Sequence, residues 1–109
     1  MMSDRLTAAR EYVSRKPTDR FGLYALAMEL RKTRAWDECF AAFTALLAHH
    51  PDYGAGWYHF AMAHRESGDR AGAVALLRTG LGAATRSGDG KTRAEIESAI
   101  DELSDSDDE

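Results

Sequence analysis

Along this chain apolar residues recur every three or four positions, the spacing that gathers side chains onto one face of a helix. Leu6, Ala9 and Val13 share such a face before Pro17, which predicts a first helix capped by Ser3 or Asp4. Leu23, Leu26, Ala27 and Leu30 predict a second helix, opened by Thr18 or Asp19 and running to about Thr33. Phe40, Phe43, Leu46 and Leu47 predict a third, from Trp36 to His49, as its antiparallel partner. Pro51 closes it, because proline has no amide hydrogen and disfavours helix in the residue before it. The pattern then returns: a helix from Ala55 to Glu66, a turn at Ser67-Gly68-Asp69, and a helix from Arg70 to about Leu81. After a loop from Thr85 to Gly90, the stripe of Ile96, Ala99, Ile100 and Leu103 predicts an amphipathic helix over 91–103. Residues 104–109 hold no apolar side chain and are expected to be a disordered acidic tail.

The return is a repeat of thirty-four residues, 17–50 and then 51–84. At that offset Pro17 matches Pro51, Gly22 Gly56, Tyr24 Tyr58, Ala27 Ala61, Met28 Met62, Arg31 Arg65, Ala41 Ala75 and Leu47 Leu81. A helical pair this short cannot bury its own apolar face, so copies must stack and leave one face open to bind something. In the same frame Val13 falls where Leu47 and Leu81 fall, so residues 3–16 read as the second half of a truncated repeat. The helix after the Ser67-Gly68-Asp69 turn carries Gly72 and Gly80, with Gly82 at its predicted end. Each interior glycine costs about 1 kcal/mol relative to alanine, so this helix is expected to be the softest.

Composition supports an all-α chain: Ala and Leu dominate the apolar set, Val and Ile are scarce, and there are only two prolines. At 109 residues there is room for one small domain, expected over 1–103. The single cysteine, Cys39, excludes an internal disulfide and fits a reducing compartment. The first twenty residues are charged throughout, with neither a signal peptide nor a membrane span among them, so a cytoplasmic location is the expectation. The net charge of -4 is uneven. Residues 1–50 hold eight basic and six acidic side chains, and 51–109 hold six and twelve, many of the latter at the C-terminus. With no basic stripe, nucleic acid is not the expected partner.

The repeat resembles the tetratricopeptide repeat family, whose signature is W-x2-L-G-x2-Y, then A-x3-F, then P. Here it reads Trp57-x2-Phe60-Ala61-x2-His64 with Ala73-x3-Leu77, and Leu23-x2-Leu26-Ala27-x2-Leu30 with Cys39-x3-Phe43 and Pro51. The resemblance covers about residues 17–84. Thr85 stands where a third proline would fall and Glu95 where a third small residue would, so the last helix reads as a cap. His64 and Leu46 also depart from the pattern. The implied fold is an α-solenoid: antiparallel helical hairpins in a right-handed superhelix, about two and a half units plus the C-terminal cap.

The resemblance further implies that the first helix of each pair lines a concave groove. Opposite the buried stripes lie Phe21, Tyr24, Met28, Arg31 and Lys32 in one copy, and Tyr58, His59, Met62 and Arg65 in the other. Tyr and Arg are favoured at interfaces and Met adapts its shape, so these are the candidate partner-binding residues. Family members that grip chaperone C-termini use Lys and Asn where Tyr24, Met28 and Met62 stand, which disfavours that role. The expected ligand is a peptide or protein with apolar anchors and an acidic group near Arg31 and Arg65, in an adaptor role. The alternative is a homodimer that hides more surface and takes no separate ligand.

No catalytic or metal constellation emerges. Gly90-Lys91-Thr92 lacks the earlier glycine of a phosphate loop, which here is Thr85. His49 and His50 are adjacent and point apart, while His59 and His64 miss the i, i+4 spacing of paired ligands. Cys39 sits in a small-residue slot, and Asp37, Glu38 and Asp69 stand at helix starts, where carboxylates satisfy free amides. Neither an enzyme nor a cofactor is expected.

Overall fold

The computed structural model describes residues 4–105, and over them the chain forms six α-helices and no strand. They are α1 (Asp4–Arg15), α2 (Arg20–Thr33), α3 (Trp36–His49), α4 (Gly54–Glu66), α5 (Arg70–Ser87) and α6 (Gly90–Asp105). The chain divides after His50 into two compact units, α1–α3 and α4–α6.

In the first unit α2 pairs with α3 and α1 packs on α2. The stripe read from spacing is the one that is buried: Leu23, Ala27 and Leu30 from α2, with Cys39, Phe43, Leu46 and Leu47 from α3. Leu26 and Phe40, on the edges of those stripes, are only half-buried. Small residues set the spacing of the pair, since the Cys39 thiol lies 3.6 Å from the Ala27 carbonyl oxygen. Asp19 opens α2 by accepting from the Gly22 amide at 2.8 Å, and Arg34, left-handed at φ 61°, closes it by donating back to the last turn. The first unit is also tied at its surface: Arg10 pairs with Glu38 at 2.8 Å, and the His50 ring meets the Thr18 carbonyl at 2.8 Å.

The second unit is a hairpin of α4 and α5 with α6 laid on both. Its core joins Ala61 and Met62 of α4, Ala73, Leu77 and Ala84 of α5, and Ile96 and Leu103 of α6. Helices α5 and α6 differ in their bounds from the sequence reading, and α4 starts one residue early, at Gly54. Helix α5 runs to Ser87 instead of about Leu81, because Ala83 and Ala84 are fully buried and Ala84 packs against Gly54 at the start of α4. Gly82 is therefore inside the helix, and it is Gly88, at φ 73°, that turns the chain out of it. Helix α6 then starts at Gly90, with Asp89 accepting from the Thr92 amide at 3.1 Å, and extends through Ser104 to Asp105. The expected loop from Thr85 to Gly90 shrinks to Gly88 and Asp89, and the expected tail loses its first two residues to the helix. The remainder, 106–109, lies outside the described residues. Among the described residues no helix is long and apolar enough to cross a membrane.

Candidate binding surfaces

In the first unit α2 presents the five residues that spacing singled out. Phe21 is 73% exposed, Lys32 is exposed, and Tyr24, Met28 and Arg31 are half-buried. Lys32 pairs with Glu29 at 3.3 Å, and the Arg31 guanidinium reaches the Met28 sulfur at 4.0 Å. Beside them α1 and α2 enclose an open cleft of about 400 Å³, lined by Arg5, Ala8, Ala9 and Tyr12 from α1 and by Phe21, Gly22, Ala25, Met28 and Glu29 from α2. Gly22 makes the close approach of Tyr12 possible, since a Cβ there would stand 2.5 Å from that ring. The ring meets Phe21 edge-on at 6.4 Å, and its hydroxyl donates to Asp19 at 3.1 Å. The Gly22 amide, ahead of the Tyr12 hydroxyl, holds the Asp19 carboxyl below its ordinary range. Desolvation, then the bond to Asp19, raises the Tyr12 phenol above its own.

The second unit treats the matching residues differently. Tyr58 and His59 are half-buried, with rings edge to face at 5.2 Å, and Arg65 is exposed. Met62 does not project outward: it is 7% exposed and belongs to the core. It is covered where free projection was expected, because α6 packs on that side of α4 with Ile96, Ala99 and Leu103, and what is left of it borders a cleft between the two helices. The same helix supplies the acid expected of a partner, since Glu102 accepts from Arg65 at 2.8 Å. What stays open is a cleft of about 380 Å³ between α4 and α6, where Tyr58, Met62 and Arg65 face Ala94, Glu95, Ser98, Ala99 and Glu102.

Sequence reasoning placed the first-helix residues on one face but missed the α6 side of this cleft and the α1 side of the other. The register of the repeat was the available signal for the second. For the first there was none, because residues 85–103 follow the repeat too loosely to fix which α6 residues face α4.

The remaining candidates are held in structural contacts. The Cys39 side chain is fully buried. His64 meets Asp69 at 2.9 Å, and Asp69 accepts from the Gly72 amide at 2.9 Å as the cap of α5. That amide, then His64, lowers the Asp69 carboxyl, while the Thr92 hydroxyl and amide lower Asp89. Among the described residues no three His, Cys, Asp or Glu side chains converge as a metal site would require.

No protein-family model matches the chain, and no curated protein matches it either. Solved structures do. A solution structure of a Bordetella parapertussis protein covers 97% of this chain and 92% of its own, at a TM-score of 0.82 and 22% identity, a likeness of fold. The solution structure of a tetratricopeptide repeat domain protein from Salinibacter ruber covers 80% of this chain and 88% of its own, at a TM-score of 0.74 and 28% identity. With its period of thirty-four residues, its paired helices and this likeness, the chain resembles the tetratricopeptide repeat family and has the fold of an all-α helical repeat.

Proposed function

We propose that the protein is an adaptor that binds peptide or protein segments on the face of the first helix of each unit, α2 in one and α4 in the other. Folds of this kind serve in general as protein-interaction modules and not as enzymes. The observation that carries the finer reading is the cleft between α4 and α6, where an apolar floor of Tyr58, Met62 and Ala99 is rimmed by Arg65, Glu95, Ser98 and Glu102. An apolar floor binds an anchor side chain and a polar rim fixes its orientation, which suits an extended segment. Because Glu102 already answers Arg65, the ligand's apolar anchor rests on Tyr58 while a basic or hydrogen-bonding group meets Glu95 and Ser98. On α2, Tyr24 and Arg31 offer an aromatic and a cation to a segment carrying an acid. A cytoplasmic setting accords with the buried thiol of Cys39, the single cysteine of the chain.

A peptide-display selection against the full chain tests this reading. Ser98 is exposed on α6, so Ser98→Arg fills the cleft without removing packing. Enriched peptides share an apolar anchor and lose binding to Ser98→Arg. Selection without enrichment, or binding indifferent to that substitution, refutes the proposal.

A further inference from the structure

The α1–α2 cleft lies on a face that both complete hairpins keep sealed. In α3 the residues turned to α2 include Cys39, Phe43 and Leu46, each 0% exposed. In α5 the corresponding residues are Ala73 and Leu77, also 0% exposed, and Gly80, buried against Trp57 of α4. One and two repeat lengths earlier, at those same register positions, α1 carries Arg5, Ala9 and Tyr12. All three line the open cleft, opposite Phe21 and Met28 of α2. Helix α1 thus stands in the register of a second helix, and among the described residues no helix covers its cleft face as α2 covers α3. The apolar side chains that such a helix would cover stay half-buried or, for Ala8 and Phe21, exposed, Phe21 by 73%.

From this we infer that the cleft receives an amphipathic α-helix of a partner protein, seated on α1 as α2 is seated on α3, and that the partner helix is acidic. The reading rests on the chain being an interaction module but concerns a different face from the α4–α6 cleft. The helical form follows from the internal template: both sealed faces of this type are covered by a helix. The charge follows from what α1 changes. Where α3 and α5 carry the uncharged Cys39 and Ala73, α1 carries the exposed Arg5. Lys16, just past the end of α1, stands exposed with its ammonium 6.0 Å from the ring centroid of Tyr12, and the one carboxylate in the lining, Glu29, is paired with Lys32 at 3.3 Å. A helix with carboxylates near both ends complements Arg5 and Lys16. A second copy does not: its own α1–α2 face brings the same Arg5 and Lys16, and the exposed residues of α6 are charged or polar apart from Gly90 and Ala94, too polar a set to fill an apolar cleft.

The probes are two synthetic helical peptides of about twenty residues, long enough for helix to persist. Both carry the Leu-x2-Leu-Ala-x2-Leu stripe of α2 on a polar background, one flanked by glutamates and the other by lysines. Fluorescence anisotropy with the full chain should show the glutamate peptide preferred. Ala9→Arg should weaken it at least about tenfold, as loss of a central contact does, and Arg5→Glu should turn the preference toward the lysine peptide. Ser98→Arg should leave both peptides unaffected, which separates this site from the α4–α6 cleft. Arg5 is exposed, so its variant keeps the test open if circular dichroism finds Ala9→Arg unfolded. Failure of the glutamate peptide to bind, equal binding of the two peptides, or indifference to both variants overturns the inference. So does a light-scattering mass of two protomers that either variant returns to one, which makes a second copy the occupant.

Discussion

A side chain on Gly80 would begin 2.6 Å from the Cβ of Trp57, so α5 can cross α4 at this point only because residue 80 has no Cβ. The glycine that seemed to soften α5 is what lets the hairpin close. Gly80→Ala should therefore destabilise the protein despite alanine's better helix propensity, by about 1–3 kcal/mol, as overpacking does. Gly82 lies in the same helix, with only the flexible end of Arg86 within 3.2 Å of a built Cβ. Gly82→Ala should stabilise by up to about 1 kcal/mol. Urea denaturation of both variants should give shifts of opposite sign.

Three helices open on an aspartate that accepts a backbone amide: Asp19 from Gly22, Asp69 from Gly72 and Asp89 from Thr92. All three carboxyls are held below their ordinary range in the folded state. A lowered native pKa means that the unfolded chain binds the proton more readily. The stabilisation is thus complete above the unfolded value, about pH 4, and is lost as pH falls through the lower native values. Melting temperature should be flat from neutral pH to about pH 5 with respect to these groups and fall steeply below about pH 4. Replacing Asp19 and Asp69 together by Asn, which caps without titrating, should flatten the acid limb.

Much of this fold was legible because the period is carried by packing. Leu23, Ala27, Leu30, Phe43 and Leu47 are buried for the reason their spacing implied, and α3 begins and ends where Trp36 and Pro51 indicated. The misreadings lie where a contact distant in sequence overrode a local signal. Gly82 looked like a helix end, but burial of Ala83 and Ala84 carries α5 past it. Met28 and Met62 are identical in the repeat yet differ in surroundings, since α6 lies over Met62 while the cleft beside Met28 stays open. A periodic sequence fixes which face a residue occupies on its helix. It does not fix what covers that face.

The ion pair between Arg65 and Glu102 is solvent-exposed, at 46% and 61% of the two side chains, so it adds little to stability. Its consequence is for binding, because it neutralises the cation on the rim of the α4–α6 cleft. Glu102→Gln should change stability by less than about 0.5 kcal/mol. In a display selection it should move enriched peptides toward acidic residues beside the anchor. An unchanged charge preference would mean that Arg65 takes no part in recognition.

Oxidation tests the divergence of the two repeats directly. Hydrogen peroxide converts methionine to the sulfoxide at a rate set by access to the sulfur. Met28 is half-buried on the wall of an open cleft, whereas Met62 is 7% exposed inside the second core. In native protein, peptide mass spectrometry should find Met28 oxidised well before Met62, and in denaturant the two rates should converge. Turning the Met62 thioether into a polar sulfoxide within that core would also loosen α6, so its slow oxidation should track loss of helical signal while that of Met28 should not. Equal rates in the folded state would mean that α6 does not cover α4, and the assignment of Met62 to the core would fall with it.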